Sequence, residues 1–169
     1  MDFRYVMRLE ASPDDVFALM LDEEYLRERC AAGGGTDCAI STRQLPDGGA
    51  LVSVRRRVPA RMSAFRGRVG AGHVTVRHTE TWSPRQADSA RTGRFAGEIE
   101  GMPGSLAGRL SIAREGDATS YALNGIIDVP VPFVGERLAR AVATELTRGL
   151  ALEEAFTHEW LAAHLQRGG

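Results

Sequence analysis

His78 and Glu80 stand two residues apart in a stretch, residues 73–82, that alternates like a β-strand. They share one face with Val74, Val76 and Trp82, while Thr75, Arg77, Thr79 and Thr81 share the other. Two valines and a tryptophan mark the first face as the one turned towards apolar surroundings, where a polar group is costly unless it finds a partner. An imidazole and a carboxyl so placed are suited to anchor a ligand hydroxyl or carbonyl, or to act as a general acid/base pair. The structural alternative is that they bond to each other, to Arg56 or to water at a cavity mouth. Arg56 lies on the parity of Val52, Val54 and Val58. It either points inward, against Glu80 or a ligand carboxylate, or belongs with Arg55 and Arg57 to a solvated edge, which three consecutive arginines favour. Tyr121 shares a face with Leu123 and Ile127, and its hydroxyl needs a partner if buried. Arg56, His78, Glu80 and Tyr121 are therefore the candidate polar anchors, and no catalytic residue is assigned.

Other chemistries are poorly served. All 21 basic residues are arginine, so a Schiff-base lysine is excluded. The four histidines, at 73, 78, 158 and 164, have no shared-face spacing, and no metal site is expected. Gly67-Arg68-Val69-Gly70-Ala71-Gly72 precedes a strand rather than a helix and does not suit a phosphate cradle, and Ser105 lacks the flanks of a nucleophile elbow. No cofactor is expected. A net charge of −1 and an arginine triplet without interleaved aromatics argue against nucleic acid as a partner. No apolar run is long enough to span a bilayer, so no integral membrane association is expected. The charged alternation Met1-Asp2-Phe3-Arg4-Tyr5 predicts no secretory signal and a cytoplasmic protein. Cys30 and Cys38 flank Gly33-Gly34-Gly35 at a spacing that fits neither a CxxC pair nor a zinc knuckle, which in that compartment predicts two reduced thiols.

The elements that must position these residues follow from pattern. Residues 2–10 alternate as a half-buried strand. Ser12-Pro13-Asp14-Asp15 opens a helix with a cap, a first-turn proline and two acids at the positive end of the dipole. A second short helix starts near Asp22 and stops at the glycine run. Strands are predicted near 37–44, 50–58, 73–82, 91–100, 105–114 and 119–129. Pro46-Asp47-Gly48-Gly49 and Glu115-Gly116-Asp117 act as hairpin turns between two of these pairs. Residues 59–72 suggest a short turn or loop over apolar surface, carrying Met62 and Phe65. From Phe133 or Val134 a long helix places Leu138, Val142, Leu146, Gly149, Leu152, Phe156 and Trp160 on one stripe. Gly149 within that stripe costs on the order of 1 kcal/mol relative to alanine, and close approach, a bend or room for a ligand must offset it.

With 43% hydrophobic residues over 169, the chain has enough apolar material for one α+β domain spanning 1–169. Its long helix must bury its stripe on an antiparallel sheet of about seven strands, and a curved sheet leaves a cavity between the two. The candidate wall is Met62, Phe65, Val76, His78, Glu80 and Trp82, together with Phe95, Tyr121, Leu123, Gly149 and Phe156; Met102 and Trp160 are further aromatic or soft side chains within reach. Binding or carriage of a small hydrophobic molecule ranks first. A cyclase- or dehydratase-like enzyme using His78, Glu80, Arg56 or Tyr121 ranks second, and a regulatory or interaction module third. A homodimer through a strand edge is compatible with all three.

The order strand, two short helices, six strands, long helix resembles the START-like (SRPBCC, helix-grip) superfamily. That superfamily includes polyketide cyclase-like proteins, the major birch pollen allergen and steroidogenic lipid-transfer domains. Three stretches resemble an uncharacterised bacterial family within it: Phe3 to Phe17 with its Ala11-Ser12-Pro13-Asp14-Asp15-Val16-Phe17, the bend Gly101-Met102-Pro103-Gly104-Ser105-Leu106-Ala107-Gly108, and Val129-Pro130-Val131-Pro132-Phe133-Val134-Gly135-Glu136. The resemblance implies a curved sheet wrapped around the C-terminal helix with a hydrophobic cavity between them. It implies no catalytic residues and no particular ligand.

Overall fold

A computed structural model of the chain describes residues 1–60 and 72–165. Met62 and Phe65 lie outside the described residues. Strand β1 (Asp2–Leu9) leads into α1 (Pro13–Leu19), where the Ser12 side chain accepts from the Asp15 N–H at 3.1 Å. Helix α2 (Glu23–Ala32) is capped by Asp22, whose Oδ1 accepts from Glu24 and Tyr25 N–H groups at 2.9 and 3.1 Å. Six strands follow: β2 (Thr36–Gln44), β3 (Ala50–Pro59), β4 (His73–Trp82), β5 (Arg91–Ile99), β6 (Ser105–Glu115) and β7 (Ala118–Asp128). The chain then enters α3 (Gly135–Leu165).

The seven strands form one antiparallel sheet in the order β1-β7-β6-β5-β4-β3-β2, so α1 and α2 carry the chain from one edge to the other. Sequential hairpins account for every pairing from β2 to β7, and β1 closes on β7. Phe95, Gly108 and Gly125 lie side by side on β5, β6 and β7. A Cβ on Gly108 would stand 2.1 Å from the Asn124 carbonyl oxygen, and one on Gly125 would stand 2.8 Å from Phe95 Cζ. The two glycines are what allow these backbones to approach and the Phe95 ring to lie across them.

Helix α3 corrects the sequence reading by one row of side chains. Its most buried positions are Ala139, Ala143, Leu150, Glu153, Thr157 and Leu161. The larger Leu138, Val142 and Leu146, expected to be the buried stripe, overhang a cavity instead, and Leu152 is 46% exposed. In the first half of the helix the small Ala139 and Ala143 are the buried positions, while their larger neighbours line the hollow. Phe156 and Trp160 pack on Tyr25 of α2, with ring centroids 6.0 and 5.5 Å away, so the second half of α3 is seated on α2. Phe156 and Trp160 therefore belong to the core rather than to the cavity wall.

Cys30 and Cys38 are joined in a disulfide, contrary to the two reduced thiols expected. The Gly33-Gly34-Gly35 turn folds the end of α2 back onto the start of β2, which brings the two sulfurs together. Closing a loop of this length limits the unfolded chain by about 2–3 kcal/mol. A Cys30→Ala/Cys38→Ala variant is accordingly expected to lose about that much stability in urea titration, and an unchanged midpoint would show the bridge to be energetically idle.

Candidate ligand cavity and its buried polar end

A cavity of about 1140 Å³ lies between the sheet and the first half of α3. Val58, Val74, Val76, Ile99, Leu106, Leu123 and Ile127 supply its apolar wall from the strands, and Leu138, Val142, Leu146 and Gly149 supply it from the helix. Phe95 and Leu110 complete the floor. One end is formed by the bend at residues 101–104 and by Val129, Val131 and Val134; the other is deeply buried beside α2.

That buried end is polar. Glu153, 3% exposed, projects from α3 and meets two arginines from separate elements. Its Oε1 accepts from Arg56 Nη1 of β3 at 2.7 Å, and its Oε2 lies 3.4 Å from Arg29 Nε of α2. Gly33 makes room for this carboxylate, since a Cβ there would lie 2.9 Å from Glu153 Oε1. Burial alone would raise the Glu153 pKa, but Arg56 and Arg29 outweigh it and hold the carboxyl below its ordinary value. The helix backbone is tied in as well: Thr157 donates its hydroxyl to the Glu153 carbonyl at 2.7 Å, which leaves Tyr25 to donate to Thr157 Oγ1, also at 2.7 Å.

His78 and Glu80 face the same end from β4. They do not hydrogen-bond to each other, as Nε2 and Oε1 are 3.8 Å apart. Glu80 Oε2 instead accepts from Trp82 Nε1 at 2.9 Å. Burial raises the Glu80 pKa despite the opposing influence of Arg29 and of that hydrogen bond. Burial, then the positive charge of Arg56 and Arg29, lowers the His78 pKa to about 4, so its ring is neutral near pH 7. Tyr121 faces the cavity from β7, and burial followed by the proximity of Glu80 pushes its hydroxyl well up. Among the described residues that hydroxyl has no hydrogen-bond partner.

The candidate residues thus divide by position, with Phe156 packed on Tyr25 and Met62 and Phe65 outside the described residues. Arg56, Val76, His78, Glu80, Phe95, Tyr121, Leu123 and Gly149 all line the cavity, as does Met102. Trp82 shares the inward face of β4 but is not on the wall: it is 1% exposed, packed edge-on against Phe17 of α1 with ring centroids 5.6 Å apart. The expectation of a solvated arginine edge fails for Arg56. Arg55 and Arg57 do point outward, to Glu100 and Asp37, but the alternation of β3 turns Arg56 in, and its partner is Glu153 rather than Glu80. Sequence reasoning missed Arg29 and Glu153. The available signal was that Glu153 falls four residues after Gly149 and seven after Leu146, on the helix face turned to the sheet.

The model of the family described as "Protein of unknown function (DUF2505)" matches residues 4–161. The chain belongs to this family. Among its relatives, Uncharacterized protein Rv0481c of Mycobacterium tuberculosis (strain ATCC 25618 / H37Rv) is 35% identical over 92 residues, 53% of this chain and 52% of that one. Uncharacterized protein Mb0491c of Mycobacterium bovis matches to the same extent. The chain spans about half the length of the curated relatives it matches. Among solved structures, TTHA0849 from Thermus thermophilus is similar over 97% of this chain and 99% of its own, with TM-score 0.66 and 18% identity. The di-domain ARO/CYC StfQ from the steffimycin biosynthetic pathway is similar over 95% of this chain and 52% of its own, with TM-score 0.60 and 12% identity. A STAR-related lipid transfer protein from Xanthomonas axonopodis gives TM-score 0.54 at 15% identity over 92% of this chain and 85% of its own. Identities this low speak to fold alone, and the fold is the START-like helix-grip.

Proposed function

We propose that the chain binds, and so can carry, a small hydrophobic molecule of lipid, polyketide-like or aromatic type in the cavity under α3. The observation that carries this reading is the hollow itself, about 1140 Å³ with a predominantly apolar wall. Ligand pockets commonly measure ~300–1,000 Å³, and an apolar surface left open in a folded core forgoes stabilisation that a ligand would restore. The lipid-transfer and ARO/CYC proteins of similar fold are consistent with such a use. Native mass spectrometry of the purified chain, followed by solvent extraction, tests it: a bound or titratable apolar molecule is expected, and failure of every apolar class to bind would remove the reading. Among the described residues no helix is long and apolar enough to cross a membrane.

Gly149 gives a sharper test. A Cβ built on it meets nothing within 4 Å, and Gly149 borders the cavity, so a side chain there starts from open space on the cavity side. Gly149→Leu is expected to raise stability by up to ~1 kcal/mol, from helix propensity, while lowering ligand uptake severalfold. Uptake unchanged in native mass spectrometry would show that Gly149 does not border the ligand.

A cyclase- or dehydratase-like activity is the second reading, and one observation favours it: His78, Glu80 and Tyr121 converge on one buried end. The 3.8 Å separation of His78 and Glu80 leaves them unpaired for proton relay without a ligand or water between them. Binding therefore ranks above catalysis.

A further inference from the structure

The charges at the buried end do not balance by contact. Arg29 and Arg56 are both largely buried, and both are paired to the same carboxylate, Glu153. Glu80 is the next acid, yet its near contacts are Trp82 and His78, and among the described residues no ion pair joins it to either arginine. Arg56 is also under-used as a donor. A guanidinium offers five N–H groups in a planar fork. One of these, on Nη1, is given to Glu153, and the Nε–H is buried with no acceptor. Beyond this cluster the wall turns apolar, through Val76, Leu123 and Leu146.

Resting on the reading of the cavity as a ligand site, we propose that its buried end seats the carboxylate of a monoanionic amphiphile, with Arg56 as the principal contact and Arg29 supplying the second positive charge. Two guanidiniums paired to one carboxylate leave one positive charge unmatched by contact, and one negative charge matches it; a doubly charged phosphate would exceed it. A guanidinium fork suits a planar carboxylate, and a charge-assisted hydrogen bond is about twice as strong as a neutral one. The apolar wall then takes the hydrocarbon body. The neutral imidazole of His78 and the free hydroxyl of Tyr121 are placed to contribute further donors. Glu80 faces the same end but bonds to Trp82 rather than to either arginine, and burial raises its pKa.

Calorimetric titration of the disulfide-intact chain with dodecanoate, dodecanol and acetate, each below its solubility or micelle limit, tests this. Dodecanoate is expected to bind at least about tenfold more tightly than dodecanol, and acetate far more weakly than either. Arg56→Gln is expected to bring the acid-to-alcohol ratio close to one. Because that variant takes a partner from Glu153, an Arg56→Gln/Glu153→Gln pair keeps the contact neutral; it leaves Arg29 as the one unmatched positive charge and is expected to keep a preference for the acid smaller than that of the unaltered chain. Glu153→Gln alone should widen the ratio. Equal affinity of the unaltered chain for acid and alcohol would overturn the carboxylate seat and leave the cavity reading intact. Acetate binding as well as dodecanoate would overturn the amphiphile. A preference undiminished in Arg56→Gln, or as large in the double variant as in the unaltered chain, would overturn Arg56 as the contact. Binding of none of the three, with every other apolar class also failing, would sink the cavity reading itself.

Discussion

Glu153→Ala is expected to cost about 3–5 kcal/mol of folding stability, the largest loss from any single substitution considered. The carboxylate removed is the shared partner of Arg29 and Arg56, whose side chains are only 10% and 17% exposed. Two guanidiniums left facing each other in a poorly solvated site cannot recover that attraction from water. Urea titration at neutral pH measures the loss, and a change below ~1 kcal/mol would mean that cavity water already screens the pair. The instructive comparison is Arg29→Met/Glu153→Leu/Arg56→Met. Replacing a whole buried ionic group by apolar side chains of similar volume is often neutral or stabilising by ~1–4 kcal/mol, because desolvation of charge exceeds the attraction regained. If the triple variant folds as well as the parent, stability does not explain the triad, and a role at the cavity end does.

The parts of the molecule that were legible in sequence are those set by local geometry. A strand's two-residue period assigned the inward face of β4, and the observed pairing of β4 with β3 turns His78 and Glu80 into the cavity as that period requires. The same rule placed Tyr121, Leu123 and Ile127 on one face of β7, and all three line the wall. Trp82 obeyed parity and still missed the wall: the last residue of β4 runs beneath α1, where Phe17 covers it. Helical periodicity was weaker evidence, since it defines an apolar sector without saying which row within it makes contact. Here the row of small residues, Ala139 and Ala143, is the buried one, and the larger Leu138, Val142 and Leu146 line the cavity. Arg29 and Glu153 escaped because their pairing is a tertiary event between α2 and α3, and each alone reads as a charged residue on a helix. The disulfide escaped for a related reason. A compartment argument outweighed the simple fact that a three-glycine turn can bring Cys30 and Cys38 together.

His78→Gln and Glu80→Gln are expected to tilt the pH dependence of stability in opposite directions. His78 is faced by Arg29 from α2, Arg56 from β3, Glu80 from its own strand, Tyr121 from β7 and Glu153 from α3. Its pKa falls from an ordinary 6.5 to about 4 on folding. The unfolded chain therefore takes up the proton first. Its contribution is complete above pH 6.5 and is lost as pH falls towards about 4, in total on the order of 3 kcal/mol. Removing the imidazole should leave the variant about 2 kcal/mol better off near pH 5, relative to its parent, than near pH 7. Glu80 works the other way. Its folded pKa is raised above the ordinary 4.5, so its contribution is complete below pH 4.5 and is lost as pH rises through the folded value. Glu80→Gln should accordingly gain on its parent with rising pH. In the parent these two slopes partly cancel above pH 4.5, whereas Glu153, lowered on folding, adds its own loss as pH falls below that point. Urea midpoints from about pH 4.5 to 8 for the three chains separate the contributions. Curves for both variants running parallel to the parent would mean that water in the cavity solvates these groups. The anchor chemistry assigned to the buried end would then have no dry site to act in.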